Sequence, residues 1–114
     1  LGKKRKQINV YFFSATIEDT DNLLVPVVCM YEVFKKVNLI ADEAHALRAV
    51  AQMKQGEIIP VTEEVALKAA LLSLKHKLPM ADSLIYATAQ IEGALLWTQD
   101  EDFAGLEGVK YKKA

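Results

Sequence analysis

The sequence predicts an α/β domain in three layers, α/β/α, with helices on both faces of a central parallel sheet. Apolar runs of strand length occur at residues 23–26, 57–61 and 94–98. Long segments of helical periodicity separate them, which is enough chain for crossover connections and too much for hairpins. Of the 114 residues, 52% are hydrophobic, so the chain can bury a core of its own as one domain spanning residues 1–114.

Charge and cysteine content narrow the function classes. The net charge of −1 gives no general attraction to nucleic acid or to a membrane surface, so any such contact must come from a local basic patch. The single cysteine, Cys29, lies in an apolar run and has no second cysteine to pair with. A buried, inert thiol in a reducing, cytoplasmic setting is expected. No apolar run approaches the length of a membrane span, and no signal peptide is visible.

In chain order, Lys3, Lys4, Arg5 and Lys6 form a basic run that reads as a solvated end or, functionally, as an arm touching phosphate. Ile8, Phe12, Ala15 and Ile17 keep a roughly helical spacing, predicting a short helix over residues 9–18, followed by a polar connection through Asp19 and Asp21. Leu23-Leu24-Val25-Pro26 predicts a buried strand stopped by proline. A helix follows over 27–38, and a second, amphipathic one over 42–55, with Asp42 as its cap and Gly56 as its end. His45 reads as a surface or satisfied histidine. Residues 57–61 form the next strand, and Thr62 caps a helix whose end carries Lys75, His76 and Lys77.

The helix from Met80 to Glu92 is apolar almost all round and closes on Gly93. Asp82 sits in its first turn, where the free N–H groups and the macrodipole favour a carboxylate. It is followed by a buried strand over 94–98, then Asp100, Glu101 and Asp102, and a weak edge strand at Val109-Lys110-Tyr111.

Two carboxylates sit where they are expensive: Asp82, and Glu32 within the apolar run 27–34. Helix capping accounts for the first alone, and pairing with Lys35 or Lys36 for the second. In a parallel sheet, however, ligands bind outside the carboxyl ends of the strands. Asp82 at a helix start, Asp100 just past a strand and Glu32 in the helix after Pro26 converge on that edge. Clustered carboxylates repel unless a cation joins them. An all-oxygen set without His or Cys favours Mg²⁺ or Mn²⁺, and such ions suit phosphodiester chemistry.

Leu24-Val25-Pro26 followed by Tyr31-Glu32-Val33-Phe34-Lys35, then Leu78-Pro79-Met80-Ala81-Asp82-Ser83-Leu84-Ile85, then Thr98-Gln99-Asp100-Glu101-Asp102-Phe103, resemble in order and spacing the PIN domain, more narrowly the VapC-type toxins of toxin–antitoxin pairs. The resemblance implies a Mg²⁺-dependent endoribonuclease, cytoplasmic and homodimeric, that acts on RNA and is held inactive by an antitoxin protein. It carries the acidic pocket over to Glu32, Asp82 and Asp100. Asp102 becomes a secondary metal acid or a turn cap, and Thr98 and Ser83 become supporting hydroxyls. The family's first acid stands at the end of an N-terminal strand, and nothing here matches it. The expectation is an N-terminally truncated domain without its first, central strand and one metal ligand, and so with impaired activity.

Two other readings stand beside this one. The first is a catalytically inactive module of the same fold that binds a protein or dimerises. The second is a receiver-like phosphorylation domain using Asp100 and Lys110, which match that pattern loosely.

Overall fold

The computed structural model describes residues 5–10 and 20–113. Its first element is a strand, β1 (Gln7–Asn9), where a helix was expected to begin. Ile8 is fully buried between polar neighbours, so strand alternation, not the Ile8–Phe12 helical spacing, governs this stretch. The rest of the expected helix, residues 11–18, lies outside the described residues, as does Asp19. Asp21 falls in a short 3₁₀ turn, Thr20–Asn22.

The remaining elements follow the predicted order. Strand β2 (Leu24–Pro26) leads directly into helix α1 (Val27–Ile40), and α2 (Glu43–Met53) precedes β3 (Glu57–Ile59). Helices α3 (Glu63–His76) and α4 (Met80–Glu92) then lead to β4 (Leu95–Thr98), a 3₁₀ turn at Glu101–Phe103 and β5 (Val109–Tyr111). The side chain of Asp42 accepts from the His45 N–H at 2.8 Å, and Thr62 Oγ1 accepts from the Val65 N–H at 3.2 Å, so both predicted caps form. Gly93 ends α4 at φ 65°, a left-handed conformation that glycine adopts without a Cβ penalty.

All strand pairs are parallel. β1 pairs with β4 (Ile8 opposite Leu96), β4 with β5 (Leu96 opposite Val109), and β2 with β3 (Val25 opposite Ile58). A single parallel bridge from Gln7 to Leu23 joins the three-stranded and two-stranded sheets, giving the order β3-β2-β1-β4-β5. The central place, expected to be empty, is filled by β1. Its edge is completed by the Leu95 N–H donating to the Lys6 carbonyl and the Val10 N–H donating to the Trp97 carbonyl. The β2-to-β3 and β3-to-β4 crossovers run in opposite directions across the sheet. Right-handed connections therefore place α1/α2 and α3/α4 on opposite faces.

The core runs through both layers, from Leu24, Val25, Val33 and Met53 to Ile85, Tyr86, Leu96 and Phe103. Helix α4 is buried from Ile85 to Ala89. Its small residues let it lie close against its neighbours. Its buried hydroxyls are satisfied within the helix: Ser83 Oγ donates to the Met80 carbonyl at 2.7 Å and Thr88 Oγ1 to that of Leu84 at 2.8 Å.

A candidate metal centre at the carboxyl edge of the sheet

Three local structures bring carboxylates to the same edge. Pro79 occupies the N-cap of α4 and has no side-chain donor or acceptor, so the first turn is not capped in the usual way. Asp82 is the only acid in that turn, and its carboxylate meets the positive end of the helix. Strand β4 ends on Thr98, which is fully buried, and Thr98 Oγ1 accepts the Asp100 N–H at 3.0 Å. Asp100 in turn accepts the Asp102 N–H at 2.9 Å, which starts the 3₁₀ turn. Thr98 thus orients the loop through its backbone, and the loop orients both aspartates.

One oxygen from each of Asp82, Asp100 and Asp102 lies within 4.8 Å of the others. Asp82 and Asp100 are half-buried, and Asp102 is exposed. Burial lifts the Asp82 carboxyl from 3.8 to about 7, helped by the charge of Asp100 and a hydrogen bond with it, then by Asp102 and Glu32. Its neighbours thus make Asp82 harder to ionise than an ordinary aspartate, and the hydrogen bond with Asp100 favours its protonated form. The cluster opens on a cavity of about 490 Å³ whose walls include Glu32, Lys35 and Lys36 from α1, together with Val10 and Phe103. Glu32 is exposed and lines this cavity without belonging to the tight trio.

Of the residues singled out in the sequence, Asp82, Asp100 and Asp102 are brought together, and Glu32 faces the same cavity. Thr98 supports the loop. Ser83 is buried, spends its hydroxyl proton on Met80 and is absent from the cavity wall. His45 is satisfied by Asp42 at 2.7 Å, and His76 packs edge-on to Tyr86 with ring centroids 6.0 Å apart, so neither reaches the acids. Cys29 is buried as expected, but it also lines the cavity. Desolvation, then the charges of Glu32 and Asp82, push its thiol up to about 12, which keeps it protonated.

Sequence reasoning overlooked Tyr86. One turn beyond Asp82 in α4, its hydroxyl donates to the Glu107 carbonyl at 2.7 Å, and its ring packs edge-on to Phe103 at 6.0 Å. It therefore clamps the loop that carries Asp100 and Asp102 onto the helix that carries Asp82. A single aromatic, four residues after the acid on the same helix, was the available signal. Val10 was overlooked as well. With Asn9, it stands at the carboxyl end of the central strand, so among the described residues that strand end contributes no carboxylate.

The geometry has relatives among solved structures. A chain of a toxin–antitoxin complex from Klebsiella pneumoniae matches with a TM-score of 0.76 and 22% identity, over 96% of this chain and 99% of that one. A chain of a DNA-bound VapBC complex from Salmonella typhimurium matches with a TM-score of 0.74 and 11% identity, over 96% and 98%. A chain of VapBC-5 from Mycobacterium tuberculosis gives 0.68 and 21%, over 96% and 98%. At these identities the likeness is one of fold. No curated protein sequence matches the chain. The PIN domain family model does match, over residues 4–109, and sets aside the receiver-like reading: with almost its whole length inside that match, the chain belongs to the PIN domain family.

Proposed function

We propose that this protein is a VapC-type toxin: a divalent-metal-dependent endoribonuclease, with Mg²⁺ or Mn²⁺ as its cofactor, whose activity is impaired. The observation that carries the reading is the trio Asp82, Asp100 and Asp102 at the carboxyl edge of a parallel sheet in a PIN fold. The donor set fits a hard cation. It is all oxygen, compact enough for one ion to touch each residue, and raised in energy by its own repulsion when empty.

Asp82, Asp100 and Asp102 would hold the ion, with Glu32 reaching it or its water across the cavity. A divalent ion bound there neutralises a phosphodiester oxygen and acidifies a water. The chain's own residues do the rest. Thr98 and Tyr86 fix the loop so that the aspartates do not reorganise. Lys35 and Lys36 draw the RNA backbone toward the acids, against a cluster whose charge alone would repel it. Asp82 is the acid whose proton must leave before the ion enters, so the metal site opens as pH rises through about 7. The impairment follows from the end of β1, where Asn9 and Val10 stand in place of a fourth acid.

The structural relatives come from toxin–antitoxin complexes, which supports an antitoxin protein as partner; a cytoplasmic homodimer is part of the same proposal. Among the described residues, no helix is long and apolar enough to cross a membrane. The strand end without a carboxylate also favours a second reading, a PIN module that binds its partner and cleaves nothing.

Cleavage of single-stranded RNA, followed with Mg²⁺, with Mn²⁺ and with EDTA, separates the two. Slow cleavage that EDTA abolishes and Asp100→Asn removes supports the nuclease. Calorimetry showing no Mg²⁺ binding by a protein that still binds its antitoxin supports the silent module. Rapid metal-dependent turnover would overturn the impairment.

A further inference from the structure

Helix α1 brings more to the cavity than Glu32. Its buried face is Cys29, Val33 and Val37. The strip beside that face holds Glu32, Lys35, Lys36 and Leu39, which form one wall of the cavity. Just outside this wall stands Tyr31. It is 60% exposed, the most exposed aromatic side chain among the described residues. Lys35, one turn further along on the same side of the helix, holds its ammonium 5.5 Å from the centre of the Tyr31 ring.

Tyr31 does little for the fold. A ring left mostly in water buries little apolar area, and an exposed cation–π contact adds only a small stabilisation. Lone exposed aromatics are ordinary. This one is set apart by its neighbour, because Lys35 belongs both to the ring and to the wall of the acidic cavity. A flat π surface and a cation side by side match the two parts a nucleotide presents, its base and its phosphate. Unpaired bases stack on aromatic side chains, and every base has a π face to offer, whereas bases inside a duplex are already stacked on each other. In the free protein the ammonium rests over the ring. With RNA bound it has a phosphate to turn to, a stronger partner, and the ring face is released to the base.

We propose that Tyr31 is the stacking platform for an unpaired base flanking the phosphodiester that the acidic trio receives, and that Lys35 takes the phosphate of that nucleotide. The inference rests on the ribonuclease reading above and adds the residue that selects single-stranded RNA. Val27 and Phe34, 40% and 36% exposed on the same side of α1, would equally suit a protein contact. Neither is tied to the cavity by a charge, and Tyr31 is.

The test uses the full chain in the cleavage-dead Asp100→Asn background and a short single-stranded RNA carrying one 2-aminopurine, whose fluorescence falls when it stacks. Moved along the strand, the probe is expected to be quenched on binding at a position that Tyr31 reaches. Tyr31→Ala should remove that quench and weaken binding by about tenfold. Tyr31→Phe and Tyr31→Trp should keep both. Lys35→Met should keep the quench and lower the salt slope by about 0.7. Wild-type and Tyr31→Ala chains should bind duplex RNA equally, and an unchanged melting temperature shows that each variant is folded. Unchanged quench and affinity in Tyr31→Ala would overturn the proposal and leave the ring as a protein contact. RNA binding by neither the Asp100→Asn chain nor wild type in EDTA would overturn it too. Wild type that binds and quenches but does not cleave in Mg²⁺ tells against the nuclease and leaves the platform standing. Wild type that cleaves, with the same KM in Tyr31→Ala, overturns the platform alone.

Discussion

At the scale of single residues, Asp82 answers two opposed demands. The fold wants it neutral, because burial and the charges of Asp100, Asp102 and Glu32 all penalise its ionised form; a metal wants it ionised. Its folded pKa of about 7 lies above the 3.8 of an ordinary aspartate, so between those values the folded chain binds more protons than the unfolded one. Stability from this group is therefore fully present below about pH 4 and is lost as pH rises through 7. In EDTA, Asp82→Asn should match wild type in melting temperature at or below about pH 4 and exceed it at pH 8, because the amide carries no charge. Mg²⁺ should reverse that order at pH 8 by stabilising wild type alone. Titration calorimetry should show Mg²⁺ affinity climbing with pH until Asp82 is ionised; a flat profile would remove it from the metal set. The three aspartates were legible in the sequence because first-turn and strand-end positions have fixed places in a parallel sheet. The distance of Glu32 from the tight trio was not, since the reach of a mid-helix side chain depends on how α1 tilts.

Elements act here mainly as clamps. Tyr86 ties α4 to the loop after β4, so Tyr86→Phe should cost about 1 kcal/mol by losing one hydrogen bond. It should also weaken Mg²⁺ binding although it touches no metal; denaturant melts and calorimetry check the two effects separately. The turn from α2 into β3 has no such slack. A Cβ on Gly56 would sit 2.9 Å from the Leu23 carbonyl oxygen and 3.0 Å from the Leu23 side chain. The Glu57 N–H donates to that same carbonyl, so the backbone cannot yield easily. Gly56→Ala should therefore destabilise by about 1–3 kcal/mol in urea melts. The sequence announced this glycine as a helix end, but not the close approach, which arises only when β2 and β3 pair. The helices and caps were legible because ten or more residues of period, with Asp42, Thr62 and Gly93 at the ends, leave little choice. Strand β1 was not. Three residues carry too little alternation to outweigh the helical spacing of Ile8, Phe12 and Ala15, and only the pairing of Ile8 with Leu96 decides it.

For the whole molecule, charge is distributed against the net balance. A chain of net charge −1 sets Lys35 and Lys36 on the wall of an acidic cavity. Replacing both with Glu should weaken RNA binding and flatten its salt dependence by about 0.7 in the log–log slope per lost phosphate contact. Filter binding of single-stranded RNA over a salt series, using a cleavage-dead Asp100→Asn background, would show it. The strand order has a further consequence, for the time course of synthesis. The central strand and its partner β4 lie far apart along the chain; Arg5 and Gly93, hydrogen-bonded beside that pairing, stand 88 positions apart. During translation the central strand has only its β2 side to pair with until β4 has been made. Contacts this distant along the chain also slow refolding from denaturant. Asp100 lies beyond β4, so the cluster closes only after that late pairing. On the proposed function, a nascent chain lacks its metal centre until β4 has paired, which leaves time for an inhibitor to be present first.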